Sequence, residues 1–206
     1  MKLARGIRLL IIISMTLVVA DALVSVRSSA LPYGSGTYGS CQYDTCSISL
    51  STSSTVSLPV TPTFAGVYTT QKDDVVVGTH ASTGYTLTMK DSDTSTNLVS
   101  GGDSVPRSSG TQASPISLVV NTWGYRVDGL SGFGAGPTSA QTNSASSTYT
   151  FAGVPASNET THTIKTTSAA AEPAETTAVW YGIFANGSVP SGTYTDTVTY
   201  TAVTNS

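Results

Sequence analysis

Alternating apolar and polar residues are the dominant pattern of the chain after about residue 46. In "GYTLTMKD", for example, Tyr85, Leu87 and Met89 alternate with threonines and a lysine. This period of two places the apolar side chains on one face and predicts a half-buried β-strand. Beyond the first thirty residues no stretch has a sustained helical period, so the pattern predicts an all-β protein.

The alternation recurs in short segments separated by turn signals. The predicted strands are 48–50, 56–60, 63–70, 74–83, 85–91, 115–129, 148–154, 159–170, 176–188 and 192–203. A turn is predicted at 71–74, and loops are predicted at 92–104 and 130–147. Many short strands with turns between them predict an immunoglobulin-like antiparallel β-sandwich of about 8–10 strands.

For two of these strands the sequence also predicts which residues share a face. The stretch 115–129 is the most apolar after the first thirty residues, so it is predicted to be a central strand with Val119, Trp123, Tyr125 and Val127 on one face. The last predicted strand has an apolar face of tyrosine, valine and alanine opposite a face of threonines. Asp196 interrupts that apolar face, and we expect its carboxylate to accept backbone hydrogen bonds at a bend.

The first thirty residues have the pattern of a signal peptide. A basic stretch precedes an apolar run over 9–20, and small residues allow cleavage after Ala30. Asp21 leaves that run short of the roughly 20 apolar residues of a membrane span. We therefore predict a signal segment at 1–30, a flexible Gly/Ser/Tyr-rich arm at 31–45 and a β-sandwich domain at 46–206. An uncleaved N-terminal anchor is the alternative for the first segment.

The charge balance narrows the functional classes. Only 10% of the residues are charged, against roughly a quarter in an average protein. Of nine basic and twelve acidic residues, the first thirty hold four and one, so residues 31–206 carry five and eleven, a net charge of −6. This balance gives no basic patch for nucleic acid and disfavours binding to anionic membranes, and we expect no membrane insertion once the leader is removed.

The two cysteines, Cys41 and Cys46, are separated by four residues. An exported chain meets conditions that allow disulfides, so a bridge closing this small loop is predicted. Two thiols without nearby histidines do not complete a tetrahedral metal shell, and we predict neither a metal nor a cofactor.

Catalytic patterns are weak in this sequence. His80 and His162 are the only histidines, and no G-x-S-x-G elbow is present. Asp91-x-Asp93-x-Ser95-x-Asn97 has the spacing of a calcium loop, but it lacks the glycine and the glutamate that such a loop needs at its sixth and twelfth positions. We therefore predict that the protein is not an enzyme.

Two aromatic pairs are candidates for ligand stacking. They are Trp123 with Tyr125 in "TWGY", and Trp180 with Tyr181 in "VWYG". Aromatic residues in strands usually pack in the core. Because each pair follows an apolar run, we expect one ring of each to be exposed and able to bind a sugar.

A pentapeptide, "TFAGV", occurs at both 63–67 and 150–154. It is either a trace of duplicated half-domains or a chance recurrence of common strand and turn residues, and the flanking sequences do not match.

Several segments together resemble a known family. "SGTYTDTVTYTA" (191–202) resembles the last strand of the spore coat protein U-like domain of secreted pilus subunits, and "GYTLTMKD" and "TWGY" follow that family's order. The leader with "YGSGTYGSCQY" is similar to uncharacterised secreted surface proteins of candidate-phyla bacteria. The family's cysteine pairing across the domain is missing, because no cysteine follows Cys46.

The resemblance implies a secreted, pilin-like structural or adhesive subunit at the cell surface. Its partners would be other copies of itself or surface proteins, with assembly by addition of an extended arm (31–50) to a sheet edge beside the last strand. The alternative is a secreted β-sandwich module that binds carbohydrate or cell wall through exposed aromatic rings.

Overall fold

The computed structural model describes the backbone of two short strands, β1 (Thr37–Tyr38) and β2 (Cys41–Gln42), and the whole of residues 47–206. These two strands form a two-stranded sheet. The predicted signal segment, most of the predicted arm and the predicted bridge to Cys46 lie outside the described residues. Within the described part of the chain, no helix is long and apolar enough to cross a membrane.

Ten further strands and one short 3-10 turn, at Ser131–Phe133, form the rest of the described structure. In chain order the strands are β3 (Ile48–Ser51), β4 (Val67–Thr79), β5 (Tyr85–Asp91), β6 (Leu98–Ser100), β7 (Asp103–Val105), β8 (Thr122–Val127), β9 (Gln141–Ser144), β10 (His162–Thr166), β11 (Ala171–Ala185) and β12 (Val198–Thr204).

Two antiparallel sheets account for most of these strands. The larger sheet has the order β3-β4-β11-β8. Strand β9 also pairs with β4, on the same edge as β3 but near the N-terminal end of β4. The smaller sheet has the order β10-β5-β12, and β6 and β7 form a separate hairpin. The long ladder between β4 and β11 runs from Val67 opposite Ala185 to Val77 opposite Glu175 and forms the centre of the larger sheet.

The apolar faces of the two sheets pack together into one core. Val75 and Val77 of β4 and Val179 of β11 meet Leu87 and Met89 of β5, and all five side chains are at most 1% exposed. The alternation predicted for 85–91 is confirmed, because buried and half-buried side chains alternate along the strand. The all-β prediction is likewise confirmed, with antiparallel sheets packed against each other.

The turn predicted at 71–74 is wrong, because β4 continues through it. Charged residues suggested a turn, but they alternate in the same way as the apolar ones. Lys72 and Asp74 form an ion pair of 2.8 Å on the exposed face. Asp73 between them is buried and accepts a 2.7 Å hydrogen bond from the backbone N–H of Ser53.

The central strand predicted at 115–129 is also wrong in extent and place. Only Thr122–Val127 is a strand, and it lies at the end of its sheet. Val119 is 57% exposed rather than sharing a face with Trp123. A turn breaks the alternation there: Asn121 has φ +60°, and the Thr122 hydroxyl donates a 2.6 Å hydrogen bond to the Val119 carbonyl.

The predicted strands at 56–60 and 148–154 are extended segments without a ladder of their own. Pro59 lies within the first and Pro62 follows it, and neither has an N–H to donate to a neighbouring strand. Val56, Leu58 and Val60 nevertheless pack against the core as half-buried side chains. The second segment makes only isolated bridges, which pair Phe151 with Ile116 and Ala152 with Tyr125.

A buried arginine organises the long loop after β8. Arg126 is 1% exposed, and its Nη2 donates to the carbonyls of Phe133 (2.8 Å) and Gly134 (3.1 Å). Its Nη1 reaches the Thr150 carbonyl at 3.3 Å, and its guanidinium lies 4.9 Å from the centre of the Tyr149 ring. Burial lowers the pKa of Arg126 from its usual value. One side chain thus fixes both ends of a loop with little secondary structure.

Candidate interaction surface

The four aromatic residues proposed for ligand stacking are all buried. Trp123 is 2% exposed, Tyr125 0%, Trp180 4% and Tyr181 6%. The Trp123 indole N–H donates to the Thr96 carbonyl at 3.0 Å, and the Tyr181 and Tyr200 hydroxyls bond to each other at 2.6 Å. The expectation that one ring of each pair is exposed is wrong. The alternation that forms the strands turns Trp123 and Tyr125 to the core side, and the other face of β11 is covered as well.

The two histidines lie on different parts of the fold. The Nδ1 of His80 contacts the Glu172 carboxylate at the surface. The Nδ1 of His162 lies 2.6 Å from the Tyr125 hydroxyl, and burial followed by the nearby Arg107 charge lowers the pKa of His162. These two partners are a carboxylate and a tyrosine hydroxyl, not a serine hydroxyl.

The residues with calcium-loop spacing cap a turn instead. An Asp91 carboxylate oxygen accepts the Asp93 N–H at 3.0 Å, and an Asp93 carboxylate oxygen accepts the Ser95 N–H at 2.6 Å. Across residues 47–206, no three His, Cys, Asp or Glu side chains are grouped so that they could hold a metal ion.

The most exposed large apolar side chain of the described chain is Phe64, which is 99% accessible to solvent. It lies in a turn of four residues in which the Gly66 N–H donates to the Thr63 carbonyl at 3.1 Å. Gly66 has φ +88°, and a Cβ at this position would lie 2.5 Å from the Phe184 ring. The turn therefore holds Phe64 pointing away from the protein, and only glycine fits behind it.

A second exposed apolar turn lies at the same end of the molecule. Val119 is 57% exposed and Val120 40%. The two turns are joined through Asn186, which forms a bridge with Thr63 and exchanges two hydrogen bonds with Asn121, at 3.0 and 3.1 Å. The backbone N–H of Asn121 also donates to the Phe184 carbonyl at 2.6 Å.

A stacked aromatic pair supports this end of the larger sheet. The rings of Tyr68 and Phe184 lie 4.0 Å apart and are nearly parallel, at 4°. Both are half-buried, and the Phe184 ring fills the space behind Gly66. We call the exposed residues Phe64, Val119 and Val120, together with this pair, the apolar tip.

The apolar tip carries no charge. The segments 61–68, 117–123 and 184–190 that build it contain no Asp, Glu, Lys or Arg. The remainder of the domain is acidic, so the tip is an electrostatically neutral region on a negatively charged protein. Sequence reasoning missed it because "TFAGV" was interpreted as part of a strand, although Pro62 and Gly66 on either side of Phe64 are turn signals.

The last strand of the described chain is the second feature open to a partner. Among the described strands, β12 forms a ladder only with β5, and β3 passes close to it without pairing. Its threonines at 199 and 201 are exposed, whereas Val198, Tyr200 and Ala202 face the core as predicted. The C-terminal part of the arm predicted to join another copy, 48–50, is paired within its own domain as β3.

Comparison of the chain with protein-family models, with curated proteins and with solved structures finds no match. The apolar tip and β12 are therefore the features of the described chain from which a function can be inferred.

Proposed function

We propose that this protein is a secreted structural or adhesive subunit of the cell surface, an immunoglobulin-like sandwich that binds other copies of itself through the apolar tip. The single observation that supports this most is Phe64. A phenylalanine that is almost fully exposed, yet held in a hydrogen-bonded turn, is ready to be buried by a partner without loss of backbone freedom.

The energy available at the tip suits a contact between proteins. Full burial of a phenylalanine side chain is worth roughly 1.5–3 kcal/mol, and the two exposed valines add to it. Scattered apolar residues on a surface need no explanation, but here three of them lie on two turns joined by hydrogen bonds.

The neutrality of the tip favours a second copy as the partner. Two copies of residues 31–206, each of net charge −6, repel each other where their acidic surfaces meet. At the tip no carboxylate or ammonium group has to be desolvated or placed beside a like charge. Two copies can therefore meet there and bury apolar surface with the smallest electrostatic cost.

The single-sided pairing of β12 supports a further contact in the same assembly. A strand with a free edge can accept an extended segment through main-chain hydrogen bonds, and natural proteins usually cover such edges. The arm proposed for this role lies largely outside the described residues.

A second candidate function, a carbohydrate- or cell-wall-binding module, rests on the same ring. Both faces of Phe64 are open, so a sugar could stack on it. The tip offers few free polar side chains for the sugar hydroxyls, since Asn121 and Asn186 bond to each other. We therefore rank this function second.

The test compares the association of matched variants of the secreted chain by sedimentation velocity over a range of concentrations. Phe64→Ser and Val119→Thr alter the tip. Val203→Thr is the control, because Val203 is an equally exposed valine (52% against 57%) on β12, and the substitution leaves the main-chain groups available for strand addition unchanged. The proposal predicts concentration-dependent association of the unmodified chain and of the Val203 variant, and monomers for both tip variants.

Either of two results would contradict it. A chain that stays monomeric at all concentrations excludes self-association, and binding of soluble peptidoglycan fragments that is lost in Phe64→Ser would then favour the second function. Association that is lost in Val203→Thr and kept in Phe64→Ser would place the contact on β12 rather than on the tip.

A further inference from the structure

Two carboxyl groups from distant parts of the sequence meet beside the core. Asp91 is the last residue of β5 and is fully buried. Asp196 lies just before β12 on its inward face, and the Ser92 N–H donates to the Thr197 carbonyl at 2.9 Å, so the pairing of the two segments brings the Asp91 and Asp196 side chains beside each other. In β12 itself, Val198 is the residue opposite Asp91. The pair therefore lies where the last strand joins the smaller sheet.

One oxygen of each carboxyl group is satisfied and the other is not. Asp91 Oδ1 accepts the Asp93 N–H at 3.0 Å, and Asp196 Oδ1 accepts the Thr197 N–H at 2.7 Å. The two Oδ2 atoms are buried and have no hydrogen-bond partner among the donors of the described chain. Buried polar atoms in folded proteins are nearly always paired, so these two oxygens need an explanation.

A single proton satisfies both atoms. Ionised carboxylates only accept hydrogen bonds, so two of them in contact repel each other and leave both oxygens unpaired. When one is protonated, its O–H donates to the other, as in other carboxyl pairs that share a site. We propose that Asp91 and Asp196 share one proton, and that this hydrogen bond is a pH-sensitive latch that fastens the start of β12 to the end of β5.

The surrounding groups do not supply the missing partner. Asp93, in the turn after β5, adds a further negative charge near Asp196. Arg107 is close enough to interact with the charge of Asp91, but its guanidinium binds Glu159 through two bonds of 2.6 and 2.8 Å. On β11 the facing titratable group is the Tyr181 hydroxyl, which bonds to Tyr200 of β12. The β6 strand contributes only the backbone of Val99, paired with Thr195.

The environment keeps this proton bound up to neutral pH. Burial, the hydrogen bond to Asp91 and the charges of Asp91 and Asp93 raise the pKa of Asp196 to about 7, against 3.8 for a free side chain. The folded protein thus holds a proton that the unfolded chain has released between these two values. The latch contributes fully to stability below about pH 4, and its contribution is lost as the pH rises through about 7.

Equilibrium unfolding of the secreted chain in urea, at several pH values from 5 to 8, tests the latch. Asp196→Asn is the main variant, because its amide N–H can donate permanently to Asp91. Asp103→Asn is the control, because Asp103 is an exposed aspartate on β7. His162, whose pKa burial lowers, contributes a slope of opposite sign, but every variant retains it, so the differences between the curves isolate Asp196.

From pH 5 to pH 7 the unfolding constant of the unmodified chain should rise, relative to that of Asp196→Asn, by up to tenfold per pH unit. The Asp103 variant should follow the unmodified chain. Parallel curves for the unmodified chain and Asp196→Asn would overturn the proposal. Stabilisation of the unmodified chain by millimolar calcium at pH 8, absent from Asp196→Asn, would also overturn it, because the pair would then hold a cation rather than a proton.

Hydrogen exchange of the unmodified chain provides a measurement that needs no variant to fold. After correction for intrinsic rates, the amides of 198–202 should be less protected at pH 8 than at pH 5, and those of 179–183 on β11 should change little. Equal protection of β12 at both pH values would contradict the latch.

Discussion

The two copies of "TFAGV" have opposite fates in the fold. In the first, 63–67, Phe64 is 99% exposed, whereas in the second, 150–154, Phe151 is 0% exposed. Alanine follows the same division: Ala65 is exposed and Ala152 is buried. Five identical residues thus form the most exposed apolar point of the described chain in one place and part of its interior in the other.

The backbone partners explain the difference. The first copy bonds to itself, with the Gly66 N–H on the Thr63 carbonyl, and so forms a turn. The second copy is extended: Phe151 exchanges backbone bonds of 2.7 and 3.1 Å with Ile116, and Ala152 exchanges two of 2.9 Å with Tyr125. Its phenyl ring lies against Gly182 of β11, where a Cβ would clash with it.

The comparison shows that a short segment compatible with both a turn and an extended strand takes the form for which its surroundings supply partners. It also favours chance recurrence over duplicated half-domains, because the two copies share neither conformation nor neighbours. For function, the comparison distinguishes Phe151, which stabilises the fold, from Phe64, which is exposed on the surface and available to a partner.

The largest effect should come from the buried copy. Phe151→Ala removes a fully buried ring and leaves a cavity beside Gly182, so the free energy of unfolding should fall by roughly 3–5 kcal/mol. Phe151→Leu keeps much of the apolar volume and should cost clearly less. Urea denaturation measures both, and a loss below about 1 kcal/mol for the alanine variant would mean that the ring is not in the core.

Arg126 is the next test, since it bonds to the first residue of the buried copy. Arg126→Met keeps the chain length and packing but removes the donors to four carbonyls, at residues 133, 134, 135 and 150. We expect a loss of roughly 2–3 kcal/mol in the free energy of unfolding, because some of these carbonyls stay buried without a donor. Faster hydrogen exchange should appear first between 129 and 150, and uniform loss across the protein would contradict the assigned role.

A smaller effect should follow from the glycine of the exposed copy. Gly66→Ala places a Cβ against the Phe184 ring at a positive φ and should cost about 1–2 kcal/mol. Gly101→Ala is the matched control, because Gly101 also has positive φ (+61°) but has no atoms within 4 Å of its Cβ position. The difference between the two variants measures the steric part, and equal losses would show that the turn can relax away from Phe184.

The smallest effect on stability should come from Phe64 itself. Phe64→Ala should change the free energy of unfolding by less than about 0.5 kcal/mol, because the side chain contacts almost nothing in its own domain. Thermal unfolding at low concentration checks this. A loss similar to that of Phe151→Ala would mean that the two copies are equivalent and that the tip is part of the core.

Much of the fold can be predicted from period-two patterning. Strand β5, the inward face of β12 and the buried Ile164 of β10 all follow it, because each of these strands covers a core with one face. The pattern fails where both faces are covered. Trp180 and Tyr181 are neighbours on opposite faces of β11, and both are buried.

The candidate sites were harder to predict, because they depend on residues far apart in the sequence. In the sequence, Asp91 fits a calcium-like spacing and Asp196 interrupts an apolar face, but no local signal shows that the two side chains meet. The apolar tip likewise requires Asn186 to join two turns from distant segments. Arg126 is one of two charged residues in the apolar stretch 115–129, and most of its carbonyl partners lie in a loop without periodicity.

The most direct test of assembly through the apolar tip is hydroxyl-radical footprinting of the protein, with the oxidation of Phe64 and Phe151 measured by mass spectrometry at low and high protein concentration. We expect rapid oxidation of Phe64 and protection of Phe151 in the dilute protein, and loss of Phe64 oxidation alone as the concentration rises. Similar oxidation of both phenylalanines in the dilute protein would contradict the fold assigned to the two copies. Persistent oxidation of Phe64 in the associated protein would contradict the assembly through the tip.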